Sequence, residues 1–204
     1  MKTLIKDPLN IIIIGVAGQG NVVISMLVCN ALLQQGYMVT FGQTYGANQR
    51  GGSVMNYVRV SRENQCSPLV PDGRADVILA LEPVEALRML AQYGNPEVTT
   101  IVNPRPIYSI EAARGDSDYP DMDTLTRTIR ELSAKSWFIN ATEEAQKLGY
   151  PIVANVILAG ALIGSGVLPL DKEALEPVIR ERFPRAVELN MTALSRGMEL
   201  AGSS

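Results

Sequence analysis

The N-terminal part of the chain contains a short apolar run followed by a segment of helical periodicity. The run at 10–15, "NIIIIG", is continuous and mostly β-branched, which is typical of a strand buried on both faces. In 18–35 hydrophobic residues recur near helical spacing, and Gly36 follows at the position of a helix C-cap. The positions assigned to the inner face of this predicted helix are Val22, Val23, Met26, Leu27, Asn30, Ala31 and Leu33.

The same arrangement continues through the first two-thirds of the sequence. Short runs rich in β-branched and aromatic residues predict strands, and an amphipathic segment at 84–92 predicts a helix between two of them. Strands that alternate with helices indicate an α/β fold, a Rossmann-like and mostly parallel sheet with helices on both faces. The predicted strands after the first are 37–44, 53–61, 75–83, 98–104 and 136–142.

The C-terminal third has a helical pattern. Residues 153–164, "VANVILAGALIG", are too apolar for a surface helix and include small residues that allow another helix to approach closely. Two charged helices are predicted at 171–183 and 186–200. We interpret all three as packing on the sheet or on a neighbouring chain.

No repeat and no low-complexity linker divides the sequence. We therefore predict a single domain over residues 1–204, with a sheet core at about 10–142 and a helical part at about 143–200. The longest irregular segment is 104–123, which is rich in proline and acidic residues and is a candidate flap.

Composition excludes several kinds of chemistry. The chain has no histidine, so the commonest general base and the commonest metal ligand are missing. Its two cysteines, Cys29 and Cys66, match no metal-binding spacing, and we interpret them as reduced residues of a cytoplasmic protein. The apolar run at 11–14 is too short to span a membrane. We predict no catalytic residue and no metal ligand in this chain.

Charge is distributed unevenly along the chain. The net charge of −3 argues against general binding to nucleic acid or to a membrane surface. Between Asp7 and Glu63 there is no acidic residue, although three arginines lie there, whereas acidic residues dominate from Glu111 to Asp123. A uniformly solvated surface rarely segregates charge in this way, so we expect part of this surface to bind a partner.

A glycine-rich segment, "GVAGQGN" at 15–21, separates the first predicted strand from the first helix. Loops in this position bind phosphate groups, and the candidate ligand-binding residues are Gly15, Gly18, Gln19 and Gly20. A nicotinamide dinucleotide site also needs an acidic residue near the end of the second strand, and 8–62 contains none. The loop is either a tight turn that packs the helix on the sheet or a site for another phosphate-bearing ligand.

The sequence "QRGG" at 49–52 is a second candidate. The backbone N–H groups of Gly51 and Gly52 can face an anion or a neighbouring backbone, and Arg50 adds a fork of donors with no acidic residue close in sequence. The alternative is an ordinary connection between two strands in which Arg50 is solvated.

Two further candidates follow predicted strands. Glu82 and Arg105 come at the carboxyl ends of the strands at 75–83 and 98–104, the edge where ligands bind in open α/β sheets. Each residue is either a polar contact for a ligand or a solvated side chain. Glu85 lies one turn into the following helix, and we interpret it as solvated helix surface.

The order of these motifs resembles one known family. The segments "GVAGQGN", "YGANQRGGSV", "SPLVPDGRADVILALEPVEALR", "VNPRPI", "YPD" and "ANVILAGAL" are similar, from about residue 10 to 197, to gamma-type subunits of 2-oxoacid:ferredoxin oxidoreductases. The greatest similarity is to small subunits of the indolepyruvate branch. Ala17 departs from that branch, and "YGA" at 45–47 resembles the pyruvate and 2-oxoglutarate branches.

The resemblance implies a function that composition alone does not. Such complexes oxidatively decarboxylate a 2-oxoacid, pass electrons to ferredoxin or another acceptor, and form an acyl-CoA. The resemblance implies that thiamine diphosphate, Mg and [4Fe-4S] clusters are held by partner subunits. It implies that this chain is a non-catalytic accessory subunit of a hetero-oligomer, with coenzyme A shared at the candidate site residues.

The mixed motifs leave the substrate open, with an aryl 2-oxoacid favoured. Two other hypotheses remain at this stage. One is a stand-alone oxidoreductase domain that binds a dinucleotide, and the other is a scaffold subunit without a ligand.

Overall fold

The chain folds around one sheet of six strands. The structure, a computed structural model, describes residues 3–45, 52–108 and 118–202. Within them the strand order is β2-β3-β1-β4-β5-β6, and only β3 runs against the others, because it is antiparallel to both β1 and β2. The strands are β1 (Leu9–Val16), β2 (Met38–Tyr45), β3 (Ser53–Ser61), β4 (Val77–Ala80), β5 (Thr99–Val102) and β6 (Lys135–Phe138).

Helices cover both faces of this sheet, as predicted. Ile11 and Ile13 of β1 point into the larger of two cores, which is built with α1 and α4–α7, whereas Ile12 and Ile14 point into a smaller core built with α2 and α3. The helices are α1 (Asn21–Gln34), α2 (Pro83–Tyr93), α3 (Met122–Glu131), α4 (Ala141–Lys147), α5 (Ala154–Gly164), α6 (Lys172–Arg182) and α7 (Val187–Gly202). A short 3₁₀ turn at Pro151–Val153 precedes α5.

The central strand is the one that the sequence identifies most directly. β1 pairs with β3 on one side and with β4 on the other, and all four of its consecutive isoleucines are at most 1% exposed. A run of isoleucines is stable in this position because both faces of the strand are covered by helices. The predicted α/β fold with a mostly parallel sheet is confirmed.

The inner face predicted for α1 is partly wrong. Val22, Met26 and Leu33 are exposed, and Asn30 is exposed as well. The buried residues include Ile24, Val28 and Leu32, which the prediction did not assign to the inner face. The helix is apolar on almost every side, so periodicity alone does not determine which side faces the sheet.

Two helices were missed. The predicted irregular segment 104–123 overlaps the beginning of α3 at Met122, and α4 begins at Ala141, inside the strand predicted at 136–142. Both helices begin at a polar N-cap, because the side chain of Asp121 accepts from Thr124 N–H and that of Asn140 accepts from Glu143 N–H. These caps are the sequence signals that would have located the two helix starts.

Glycines allow α5 and α7 to cross in backbone contact. A Cβ atom at Gly160 would overlap the carbonyl oxygen of Leu194, and a Cβ atom at Gly197 would overlap that of Ile157. The small residues of "VANVILAGALIG" therefore serve the close approach that the sequence predicted. α5 is buried over most of its length and packs on α7, α1 and α4.

Candidate functional site at the carboxyl edge of the sheet

The candidate site lies where the direction of the chain connections changes. β1 and β4 are parallel neighbours, but α1 after β1 packs on one face of the sheet and α2 after β4 packs on the other. A crevice opens between two such loops at the carboxyl ends of the strands, and α/β proteins commonly bind ligands there.

Gln19 joins the two loops at this point of the sheet. Its Oε1 atom accepts from the backbone N–H of Val16 at 2.7 Å, and its Nε2 atom donates to the carbonyl oxygen of Leu81 at 3.0 Å. Gly15 leaves room for this side chain, because a Cβ there would lie 2.7 Å from Gln19 Oε1. Gln19, predicted to bind a ligand, therefore joins the glycine loop to the end of β4 in this structure.

The other two glycines of the loop shape the beginning of α1. Gly18 and Gly20 both have φ of 93°, a left-handed conformation that side chains rarely adopt. Gly20 caps α1 without a side-chain hydrogen bond. The N–H groups of Gly20, Asn21 and Val22 have no acceptor within the part of the chain that the structure describes. These groups and the helix dipole make this end of α1 suited to an anion.

Asn155 borders the same end of α1 and was not predicted. A Cβ on Gly20 would lie 2.6 Å from Asn155 Nδ2, so Gly20 and the first turn of α5 are in close contact. The signal in the sequence was an asparagine at the start of a helix that is otherwise apolar.

The glycine loop also contacts the end of the connection between β2 and β3. The N–H of Ala17 donates to the carbonyl oxygen of Gly52 at 3.0 Å, and Asn21 Nδ2 donates to that of Val54 at 2.7 Å. The structure thus brings predicted residue Gly52 beside Gly15, Gly18, Gln19 and Gly20. Arg50 and Gly51, also predicted, lie outside the described residues.

Glu82 is held inside the protein. It is 2% exposed, its Oε2 accepts from Glu85 N–H at 2.9 Å, and its Oε1 accepts the hydroxyl of Tyr119. The N–H of Ile107 makes a longer contact with the same oxygen, at 3.4 Å. Burial and the hydrogen bond to Glu82 raise the pKa of Tyr119 far above its usual value. Glu82 therefore fastens the segments that contain Ile107 and Tyr119 to the beginning of α2.

Arg105 lies on the outside of the same edge. Its backbone N–H donates to the carbonyl oxygen of Asn103, and its side chain is exposed. No acidic partner for its guanidinium occurs among residues 3–45, 52–108 and 118–202. Arg105 is therefore available to an anion, whereas the Glu82 carboxylate is already engaged by its own chain.

Asn103 extends the hydrogen bonds that begin at Gln19 and Leu81 as far as Thr142. Its Nδ2 atom donates to Thr142 Oγ1 at 3.1 Å and contacts the carbonyl oxygen of Leu81 at 3.4 Å, the oxygen that Gln19 also contacts. Its Oδ1 atom is buried and has no hydrogen-bond partner among the described residues. Asn103 was visible in the sequence as the first residue of "NPRP" but was not predicted as a site residue.

The prediction that Glu85 is solvated is wrong. Glu85 is 6% exposed, and its Oε1 atom accepts from Ser53 Oγ at 2.8 Å and from Arg88 at 3.0 Å. It therefore ties α2 to the first residue of β3. Helical position alone did not reveal this role, because Ser53 is distant in sequence and meets Glu85 only when the sheet forms.

Comparison with known proteins identifies the family. A family model described as pyruvate ferredoxin/flavodoxin oxidoreductase matches residues 10–200. The chain belongs to this family. It is 37% identical over 194 residues to the indolepyruvate oxidoreductase subunit IorB of Archaeoglobus fulgidus, covering 95% of each protein.

Solved structures of other proteins share this fold. The gamma subunit of a keto/oxoacid ferredoxin oxidoreductase from Geobacter sulfurreducens has a TM-score of 0.68 at 24% identity, with 96% of this chain and 99% of that chain covered. A 2-oxoglutarate:ferredoxin oxidoreductase from Magnetococcus marinus has a TM-score of 0.76 at 20% identity. It covers 98% of this chain but only 32% of that longer chain. The resemblance to gamma-type subunits is confirmed.

Two further observations concern metal ligands and membrane-spanning helices. The described residues contain no group of three histidine, cysteine, aspartate or glutamate side chains placed to hold a metal ion. Within the same residues, no helix combines the length and apolarity that crossing a membrane requires.

We expect the free energy of unfolding to depend on pH because Glu85 is buried. Burial raises its pKa, against the opposing effects of Ser53 and Arg88. The folded chain therefore holds this proton more tightly than the unfolded chain, so stability contributed by Glu85 is lost as pH rises from about 4.5 through the folded pKa.

Denaturant unfolding of the wild type and Glu85→Gln between pH 4 and 7 measures this effect. The free energy of unfolding of the wild type should fall relative to that of the variant as pH rises. A difference that is independent of pH would contradict a raised pKa.

Proposed function

We propose that this chain is an accessory subunit of a thiamine-dependent 2-oxoacid:acceptor oxidoreductase that converts an aryl 2-oxoacid to an acyl-CoA. In this proposal the chain supports subunit assembly and contributes to the coenzyme A site, while partner subunits hold thiamine diphosphate, Mg and [4Fe-4S] clusters. Electrons pass through those subunits to ferredoxin or another acceptor. The match to subunits of this enzyme class over nearly the whole chain carries the proposal.

The carboxyl edge supports the coenzyme A contact. Coenzyme A carries phosphates, and an anion is favoured by the N–H groups at the beginning of α1 and the guanidinium of Arg105, none of which has a partner among the described residues. The Magnetococcus marinus protein with the same fold is described with coenzyme A and succinyl-CoA bound. The proposed contact residues are Gly15, Gly18, Gln19, Gly20, Arg50, Gly51, Gly52, Glu82 and Arg105, with Gln19 and Glu82 acting through the loops that they fasten.

An aryl substrate is supported by the sequence relatives. The Archaeoglobus fulgidus and Pyrococcus horikoshii proteins, 37% and 38% identical, are both named as indolepyruvate oxidoreductase subunits. The 2-oxoglutarate synthase subunit of Archaeoglobus fulgidus is less similar, at 29%. In this proposal the substrate pocket of the assembled enzyme recognises the side chain of the 2-oxoacid.

The two alternatives lack such support. A stand-alone dinucleotide site needs an acidic residue near the end of β2, and that strand ends at Tyr45 with no acidic residue between 8 and 62. Gln19 Nε2 also donates to the carbonyl oxygen of Leu81, at the end of β4 that a dinucleotide would approach. A scaffold without a ligand leaves the open N–H groups of α1 without a role.

Reconstitution tests the proposal. We expect the purified chain alone to lack 2-oxoacid oxidation and to contain neither iron nor flavin. Its sequence has no histidine and no cluster-forming set of cysteines to hold iron, and in this proposal the redox cofactors belong to partner subunits. Adding the co-purifying thiamine-binding subunits should restore coenzyme A-dependent oxidation of an arylpyruvate. Thermal shifts with coenzyme A, NAD and FAD distinguish the alternatives.

A stoichiometric iron or flavin absorbance in the isolated chain would contradict the accessory role. Stabilisation by NAD instead of coenzyme A would favour the stand-alone alternative. An active complex that assembles equally well without this chain would contradict both the assembly and the coenzyme A roles.

A further inference from the structure

One edge of the sheet is open. Among the strands that the structure describes, β2 is the outermost on its side, and its eight residues pair only with β3. Within the described part of the chain, no other backbone hydrogen bond reaches residues 38–45. The strand "MVTFGQTY" carries no charge and no proline, two of the devices with which natural edge strands prevent pairing. Residues 66–68 lie against this strand, since Thr40 Oγ1 donates to the carbonyl oxygen of Cys66 at 3.0 Å and a Cβ on Gly42 would lie 3.0 Å from Pro68.

The opposite edge of the sheet is protected. β6 has four residues and begins with the exposed Lys135. The guanidinium of Arg130 lies over the ring of Phe138, with 5.4 Å from Cζ to the ring centre. A short strand flanked by cations discourages another strand from pairing, so the two edges of this sheet differ in kind.

α1, which follows β1 and precedes β2, carries an exposed apolar stripe. α1 packs on β2 and β3, and Val22, Met26 and Leu33 on its outer side are 40%, 42% and 52% exposed. Spacings of four and eleven residues are close to whole helical turns, so these side chains share one face. Met38, at the beginning of β2, adds another exposed apolar side chain, at 44%.

We propose that β2 pairs antiparallel with β2 of a second copy of this chain, about a twofold axis perpendicular to the sheet. The two sheets then form one continuous sheet, and the α1 stripes of both copies lie on the same side of it. An identical strand supplies the matching row of donors and acceptors, as in other complexes formed by strand addition.

A second copy fits this edge better than a partner recognised by charge. Two identical uncharged strands approach each other without repulsion, whereas charge complementarity has nothing to act on along 38–45. Pairing of the two β2 strands leaves neither of them as an edge, and the protected β6 strands at the two ends do not pair with further copies. The expected product is therefore a closed dimer and not a fibre.

Sedimentation equilibrium of the full-length chain over the micromolar range tests the proposal. The wild type should have the mass of a dimer. The double variant Met38→Lys/Tyr45→Lys should be a monomer, because it places a cation at each end of the strand. Both replaced side chains are exposed, at 44% and 71%, so the fold should tolerate the change.

Leu132→Lys/Ile152→Lys is the matched control. These residues are also exposed, at 45% and 81%, and neither belongs to β2 or α1. The control should remain a dimer. A monomeric wild type, or equal dimerisation by all three proteins, would overturn the proposal. So would a monomeric wild type whose complex with the thiamine-binding subunits is lost in the Met38→Lys/Tyr45→Lys variant, since β2 would then serve a partner subunit.

Hydrogen–deuterium exchange provides a test that needs no variant. Exchange of the amides at 38–45 should slow as wild-type concentration rises, while exchange at 135–138 should not change. Exchange at 38–45 that is independent of concentration, across the range where the mass changes, would place the contact elsewhere and overturn the proposal. Neither measurement depends on coenzyme A or on catalysis, so a negative result leaves the proposed function intact.

Discussion

Replacing Arg50 by alanine is expected to raise the coenzyme A concentration needed for half-maximal activity about 10- to 150-fold. A charge-assisted hydrogen bond to a phosphate is worth about 1.5–3 kcal/mol, which corresponds to this range. Arg50 lies outside the described residues, but its connection begins after Tyr45 and ends at Gly52, next to the glycine loop. The thiamine-dependent decarboxylation should be spared.

Steady-state kinetics on the assembled complex, with coenzyme A and the 2-oxoacid varied separately, measures this effect. Arg180→Ala is the matched control, because Arg180 is an exposed arginine on α6 that pairs with Glu176 of the same helix. If Arg50→Ala assembles correctly and its coenzyme A dependence is unchanged, the "QRGG" connection serves only as an interface with the partner subunit.

Gly197→Ala is expected to destabilise the chain by at least about 3 kcal/mol. A methyl group at this position would overlap the carbonyl oxygen of Ile157 and reach the N atom of Ala161, so α5 and α7 must separate to admit it. Overpacking of a close-packed interior usually costs about 1–3 kcal/mol, and a clash with backbone cannot be relieved by a rotamer change. Burial of much of α5 depends on this crossing.

Gly202→Ala in the same helix is the control. Nothing lies within 4 Å of a Cβ at Gly202, so its effect should stay within about 0.5 kcal/mol. Denaturant unfolding of both variants gives the comparison. Equal stabilities would show that α5 and α7 can adjust their separation at little cost.

The sequence predicted those secondary-structure elements that nearby residues alone define. The isoleucine run of β1 needs a covered position on both faces, and Gly36 ends α1 wherever that helix packs. The sequence did not reveal that β3 runs antiparallel between β1 and β2. An alternating strand pattern is the same in either direction, so the order and sense of strands depend on contacts between distant residues.

The residues of the candidate site also fall into those that local sequence predicts and those that depend on distant contacts. The glycines of 15–20 were predicted because their positive φ angles and close contacts leave few other residue types. The role of Gln19 depends on Leu81, and that of Glu85 depends on Ser53, neither of which is near in sequence. Asn155 was missed for the same reason, since it meets Gly20 only when α5 packs beside α1.

The late position of α5, α6 and α7 in the chain affects how the protein is made. These helices cover the sheet face formed by residues such as Ile11, Ile13 and Leu79, and all of them follow β6. When the ribosome has released only the six strands, much of that face is bare, and a partly made chain with exposed apolar surface is prone to aggregate. The larger core of the sheet can therefore be completed only after α7 has emerged from the ribosome.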